Sequence, residues 1–138
     1  GRVTGVQTCA LPISSVRILV VDDNQSITKM LHRYFTTHGI DVMTLNDGKN
    51  ALETIQKQKF DVILLDMAMP GFNGADIING LEKISILEQQ KIIILSASSV
   101  PDGAIRSLLD KKGVHTFVDK PVDLKDLIDI VSQSRGMR

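Results

Sequence analysis

The sequence predicts an α/β domain, a doubly wound, five-stranded parallel sheet with helices on both faces, and three observations predict it. Short β-rich runs recur along the chain, apolar residues fall at helical spacing between them, and glycines stand where the two patterns exchange. Runs that are apolar throughout suit strands buried on both faces. In a chain that alternates strand and helix, such strands lie parallel with helices above and below.

Taken in order, strands are expected at 17–21, 41–45, 61–65, 91–95 and 114–118, each of about the usual strand length. The first helix is marked by Ile27, Met30, Leu31, Tyr34 and Phe35, the second by Ala51, Leu52 and Ile55, and the third by Ile77, Ile78, Leu81 and Ile84. Ile105, Leu108 and Leu109 mark a fourth helix, and Leu124, Leu127, Ile128 and Val131 a fifth. Gly39, Gly71 and Gly113 sit at the exchanges, where a helix cap or tight turn needs positive φ.

The chain has 138 residues, which suits one domain with a single core. Sixteen basic residues balance sixteen acidic ones, so no broad electrostatic footprint for nucleic acid or an anionic membrane is expected. The apolar runs are far shorter than the roughly 20 residues that span a bilayer. The one cysteine, Cys9, cannot form an internal disulfide, which fits a reducing, cytoplasmic setting.

Residues 1–13, GRVTGVQTCALPI, show neither helical nor alternating periodicity and lack the apolar stretch of a secretory signal. VTGVQTCALPI back-translates to codons that resemble a common sequencing-library adapter. We therefore expect residues 1–13 to be a non-native extension and the functional domain to occupy 14–138. Without Arg2 the basic count falls to 15, a net charge of −1.

In an open parallel sheet, ligands bind beyond the carboxyl ends of the strands. The residues expected there are Asp22 and Asp23 after the first strand, Asp66 after the third, Ser96 after the fourth, and Lys120 with Pro121 after the fifth; the second offers no polar site. Crowded carboxylates repel and raise one another's pKa unless a cation holds them, and hard oxygen ligands without imidazole or thiolate suit Mg²⁺. Lys120 supplies a charge and Ser96 a hydroxyl for one anion, so the set describes a phosphoryl pocket in which a carboxylate is the nucleophile. Asp66 is the best candidate, because it is single and opens a loop, MAMPGFNG, expected to leave its side chain accessible. Taken singly, each residue has a plainer reading. The aspartates could cap helices or turns, Ser96 could cap a loop, and Lys120 could be a solvated charge. Their convergence favours the functional one.

The segments VVDDN, LLDMAMPGFNG, ILSAS and FVDKP, in this order, resemble the receiver domain of two-component response regulators, of the chemotaxis-regulator kind, over 16–136. The resemblance implies the flavodoxin-like strand order 2-1-3-4-5. It also implies Mg²⁺ held by Asp22, Asp23, Asp66 and the Met67 backbone carbonyl, with Asp66 as phosphoacceptor. Lys120 would pair with the phosphoryl group, Ser96 and Phe117 would be the switch residues, and the Lys120–Pro121 bond would be cis. The implied donor is the phosphohistidine of a sensor histidine kinase or histidine phosphotransfer protein. The implied output is a downstream protein target or an effector domain beyond this chain, acting through the fourth helix, fifth strand and fifth helix. Ile105, Arg106, Asp110, Lys111 and Lys112 are candidate contacts there, unless the apolar ones are core and the charges merely solvated. Phe117 lacks the phenol hydroxyl common in the family, and Ala68 and Ser98 carry no acid or amide.

Such a domain is a phosphoryl acceptor in signalling rather than a turnover enzyme. The alternatives are a receiver that only docks, without phosphorylation, and a haloacid-dehalogenase-like phosphatase. The latter is opposed by the absence of DxDx[TV] after the first strand. His32, His38 and His115 show no metal-ligand spacing.

Overall fold

The computed structural model describes residues 16–97 and 102–136. In chain order these form β1 (Arg17–Val21), α1 (Gln25–Thr37), β2 (Asp41–Leu45), α2 (Gly48–Lys57), β3 (Val62–Asp66) and α3 (Gly74–Lys83). A single 3₁₀ turn (Leu87–Gln89) precedes β4 (Ile92–Ser96), α4 (Asp102–Leu109), β5 (Val114–Asp119) and α5 (Leu124–Gly136). The sheet runs β2-β1-β3-β4-β5 with every neighbouring pair parallel, the expected order. The expected extension at 1–13, Cys9 included, lies outside the described residues, as does Ser98.

The continuous apolar runs are explained by two apolar clusters, one on each face of the sheet, where a single core was expected. Successive side chains of a strand point to opposite faces. Leu19, Val21, Ile63, Leu65, Ile92 and Ile94 accordingly face α2, α3 and α4 with Ala51, Ile55, Ile77, Leu81 and Leu108. Ile18, Val20, Val62, Leu64, Ile93 and Leu95 face α1 and α5 with Leu31, Phe35, Leu127 and Val131. Three central strands buried on both sides leave no polar-out position to alternate with, as a doubly wound sheet requires.

Some boundaries and faces differ from expectation. β3 and β4 start and end one residue later than expected, and β5 continues through Asp119, because the ladder is a backbone property and does not stop where the apolar side chains do. Asp66 pairs with Leu95 and Ser96 with Asp119, so both polar residues are the last rungs of their strands and do not follow them. Met30 lies 43% exposed and Ile84 45% exposed. In α1 the buried stripe is Thr28, Leu31 and Phe35, the i, i+3, i+7 row, and Met30 is off it. Ile84 is the C-cap of α3, where the chain turns away from the core. Ile105, expected as a possible surface contact, is core at 5% exposure, whereas Arg106, Asp110 and Lys112 are exposed. Lys111 pairs with Glu82 at 2.7 Å. All three histidines are exposed.

Two helices end in the same Schellman motif with different residues at its left-handed position. After α1, Ile40 N–H donates to Phe35 O and Gly39 N–H to Thr36 O, both at 3.0 Å, with Gly39 at φ 78°. After α3, Ile86 N–H donates to Leu81 O and Ser85 N–H to Glu82 O, again at 3.0 Å, but Ser85 holds φ 64°. A side chain in this region costs about 1 kcal/mol that glycine avoids. We expect Ser85→Gly to stabilise the fold by roughly 0.5–1 kcal/mol in denaturant titration. A loss of stability would contradict this account of the α3 terminus. Gly71 and Gly113 also have positive φ, as expected.

Candidate functional site

The carboxyl end of β1 delivers two acids in a turn that other groups hold. Asp22 is fully buried, and its Oδ1 accepts from Asn24 N–H at 2.9 Å. Asn24, not either aspartate, caps α1, its Oδ1 accepting from Ser26 and Ile27 N–H. This sets aside the capping alternative: Asp22 and Asp23 are spared for other work. Asp23 is exposed.

β3 delivers Asp66, which is only 2% exposed; the expected accessible side chain is in fact enclosed. Its carboxylate lies against Lys120 Nζ and the Ala68 amide, and its backbone, the last rung of the central strand, is approached by the start of α3. Gly74, the first residue of α3, comes so close that a Cβ there would sit 2.7 Å from the Asp66 backbone carbonyl and 3.2 Å from Met67. Only a residue without a side chain lets the helix begin so near the strand end. A reciprocal capping box fixes that helix start, with Asp76 N–H donating to Asn73 Oδ1 and Asn73 N–H to Asp76 Oδ2. Met67 is buried, its N–H bonded to Leu95 O at 3.1 Å.

β5 delivers Lys120, whose N–H donates to Ser96 O at 2.7 Å and whose bond to Pro121 is cis. Its Nζ lies 2.8 Å from Asp22 Oδ2 and 3.3 Å from Asp66 Oδ1. Asp66 Oδ1 also accepts from Ala68 N–H at 3.0 Å. Asp66 Oδ2, by contrast, has no hydrogen-bond partner among the described residues. Ser96 is buried at the end of β4, its hydroxyl donating to the Ala97 carbonyl at 3.2 Å. Phe117 is turned outward, 40% exposed.

Electrostatically the site is strained in favour of a cation. Burial pushes the Asp22 carboxyl up from its usual value, with the Asp66 charge adding to the rise, and the Lys120 and Asn24 hydrogen bonds only partly offset it. For Lys120, burial works against the charge, but the hydrogen bond and charge of Asp22 together with Asp66 prevail and raise the ammonium pKa. Asp22, Asp23 and Asp66 each offer a carboxylate oxygen within 4.8 Å of the others. Three hard oxygen donors so grouped, two of them buried, can hold a metal ion of the hard divalent kind.

The edge after β2, expected to offer no polar site, places a polar side chain against the turn that bears the acids. Asn46 Nδ2 donates to the Asp22 backbone carbonyl at 2.7 Å and to Thr28 Oγ1 at 3.1 Å. The polar pair Asn46-Asp47 after an apolar strand was the available signal, but it reads equally as a turn, and Asp47 does cap α2.

Residues 18–132 match the family model described as response regulator receiver domain. The chain belongs to the response regulator receiver family. Among its relatives, the sensory/regulatory protein RpfC of Xanthomonas campestris pv. campestris is 30% identical over 122 residues, covering 87% of this chain and 16% of RpfC. The DNA-binding response regulator MtrA of Mycolicibacterium smegmatis is 33% identical over 112 residues, covering 81% of this chain and 47% of MtrA. The receiver thus spans less than half the length of either relative. A crystal structure of a CheY-like response regulator receiver domain from Methanospirillum hungatei superposes with a TM-score of 0.77 at 26% identity, covering 88% of this chain and 94% of that one. The chain is therefore a receiver domain of two-component signalling. No helix among the described residues is long and apolar enough to cross a membrane.

Proposed function

We propose that this receiver, comprising 14–138, takes a phosphoryl group onto Asp66 from a phosphohistidine donor on a sensor histidine kinase or histidine phosphotransfer protein. The observation that carries it is Asp66 Oδ2. This carboxylate oxygen has no hydrogen-bond partner among the described residues, while Oδ1 is held by the Ala68 amide and faces Lys120. In the transfer, an Oδ2 lone pair forms the O–P bond as the P–N bond to the donor imidazole breaks. The electron pair returns to the imidazole nitrogen, and the product is an acyl phosphate. Lys120 shifts its Nζ toward the phosphoryl oxygens as Asp66 loses its negative charge, and exposed Asp23 and Ala68 mark the side from which the donor approaches.

Asp22, Asp23, Asp66 and the Met67 backbone carbonyl are the residues we assign to Mg²⁺, which when bound neutralises charge on the carboxylates and phosphoryl oxygens. Ser96 stands at the end of the neighbouring strand, where its hydroxyl can leave the Ala97 carbonyl for the phosphoryl group. The outward Phe117 then has an inward position to move to, changing the surface of α4, β5 and α5. MtrA is a DNA-binding response regulator and RpfC a sensory/regulatory protein, so output through an attached module or a separate protein target fits this chain better than direct nucleic-acid contact, which its balanced charge does not favour. The setting we assign is the cytoplasm, where such donors work.

The test is intact mass after incubation with acetyl phosphate, with and without Mg²⁺. We expect a gain of one phosphoryl group that depends on Mg²⁺. No gain from folded protein would leave a receiver that only docks, and release of phosphate in many turnovers from a phosphate monoester would favour a phosphatase.

A further inference from the structure

The turn that carries Asp22 and Asp23 is not held by its own backbone alone. Asp22 N–H donates across the sheet to Leu45 O at 3.1 Å, and the next residue on that strand's path, Asn46, returns the contact by donating its side-chain amide to Asp22 O. The other hydrogen of the same amide goes to Thr28 Oγ1, and the hydroxyl of Thr28, only 3% exposed, donates to Gln25 O at 3.1 Å. One side chain from outside the turn thus grips the residue that enters it, Asp22, and, through Thr28, the residue that leaves it, Gln25. Between those two points lies Asp23, whose own side chain is exposed and whose placement is set by the backbone that bears it.

We propose that Asn46 is a positioning residue for the acid cluster: by fixing both ends of the Asp22–Gln25 turn it holds the Asp23 carboxylate within reach of those of Asp22 and Asp66. This rests on the reading of the cluster as a Mg²⁺ site. Asn46 touches neither the metal nor the phosphoryl group. It acts as the outer partners of a metal site do, by orienting the groups that bind, and loss of such partners commonly costs 10–100-fold in affinity. The amide is required in both its roles as donor. Aspartate at this position has the same shape but would set an acceptor against the Asp22 carbonyl, and alanine leaves both acceptors unmatched.

The experiment is Mg²⁺ titration of the native chain, Asn46→Ala, Asn46→Asp, Thr28→Val and Thr28→Ser by calorimetry, beside thermal unfolding in EDTA. We expect Asn46→Ala to bind Mg²⁺ roughly tenfold more weakly. Asn46→Asp should also bind more weakly, although it brings a further negative charge toward the cation. Thr28→Val should fall between them and the native chain, and Thr28→Ser, which keeps the hydroxyl, should restore native affinity. A purely structural role would lower the unfolding temperature of the variants without this ranking of affinities. Asn46→Ala binding within twofold of native, or Asn46→Asp binding more tightly, overturns the inference and leaves the site reading intact. A native chain that binds no Mg²⁺ overturns both.

Discussion

Asp66→Asn is expected to stay at its unmodified mass under conditions in which the native protein gains a phosphoryl group, a fall in uptake to below detection. The reason lies in the unequal engagement of the three acids. Asp22 has one oxygen on Asn24 N–H and the other on Lys120 Nζ, so an attack from it would first break a buried charge-assisted contact. Asp23 is exposed, with water as competitor for any donor. Asp66 has one oxygen fixed and one without a hydrogen-bond partner among the described residues, which orients the carboxylate and leaves the second oxygen ready. Asparagine keeps the shape and can still accept from Ala68 N–H, but its amide lacks the charge that makes a carboxylate a nucleophile. Circular dichroism of the variant should match the native protein. Uptake by Asp66→Asn at the native rate would move the acceptor to Asp22 or Asp23.

Most of this architecture could be read in the residues because a doubly wound sheet writes itself twice. Apolar runs such as Val62 to Leu65 announce strands covered on both sides, and the glycines at 39, 71 and 113 mark the turns by a backbone conformation few other residues adopt. The acids at the strand ends were legible for the same reason: a carboxylate that breaks an apolar run has no packing purpose. What the pattern could not convey was contact through the backbone. Asp66 and Ser96 are strand residues because their main chains pair with Leu95 and Asp119, which side-chain polarity conceals. Met30 belongs to the apolar spacing that marks the first helix yet stays exposed, whereas Thr28 takes the buried place with its hydroxyl bonded to Gln25 O and Asn46 Nδ2. The enclosure of Asp66 depends on Lys120 reaching it from β5 and on the Ala68 amide turning back to it, and no spacing along the chain contains those contacts.

Asp22→Asn is expected to reverse the order of stability with and without Mg²⁺. In the metal-free protein the folded pKa of Asp22 lies above its usual 3.8, chiefly through burial. A native state that holds a proton more tightly than the unfolded chain loses stability as pH rises from the unfolded pKa through the folded one, and the cost is complete only above the folded value. Lys120 contributes in the opposite sense but in another window. Its raised pKa gives stability that is present below 10.5 and lost only as pH climbs through the folded value. Removing the Asp22 charge while leaving Lys120 its contact with Asp66 should therefore stabilise the metal-free fold above the folded pKa of Asp22 and flatten the pH dependence that begins near 3.8. With saturating Mg²⁺ the native protein should gain about 2.7 kcal/mol at a hundredfold excess over Kd, while the variant, one carboxylate short, should gain little. The two unfolding temperatures then cross between EDTA and Mg²⁺. A variant less stable than the native protein in EDTA would show that the Lys120 contact outweighs the burial of Asp22, and that the acid is held by its lysine rather than waiting for a cation.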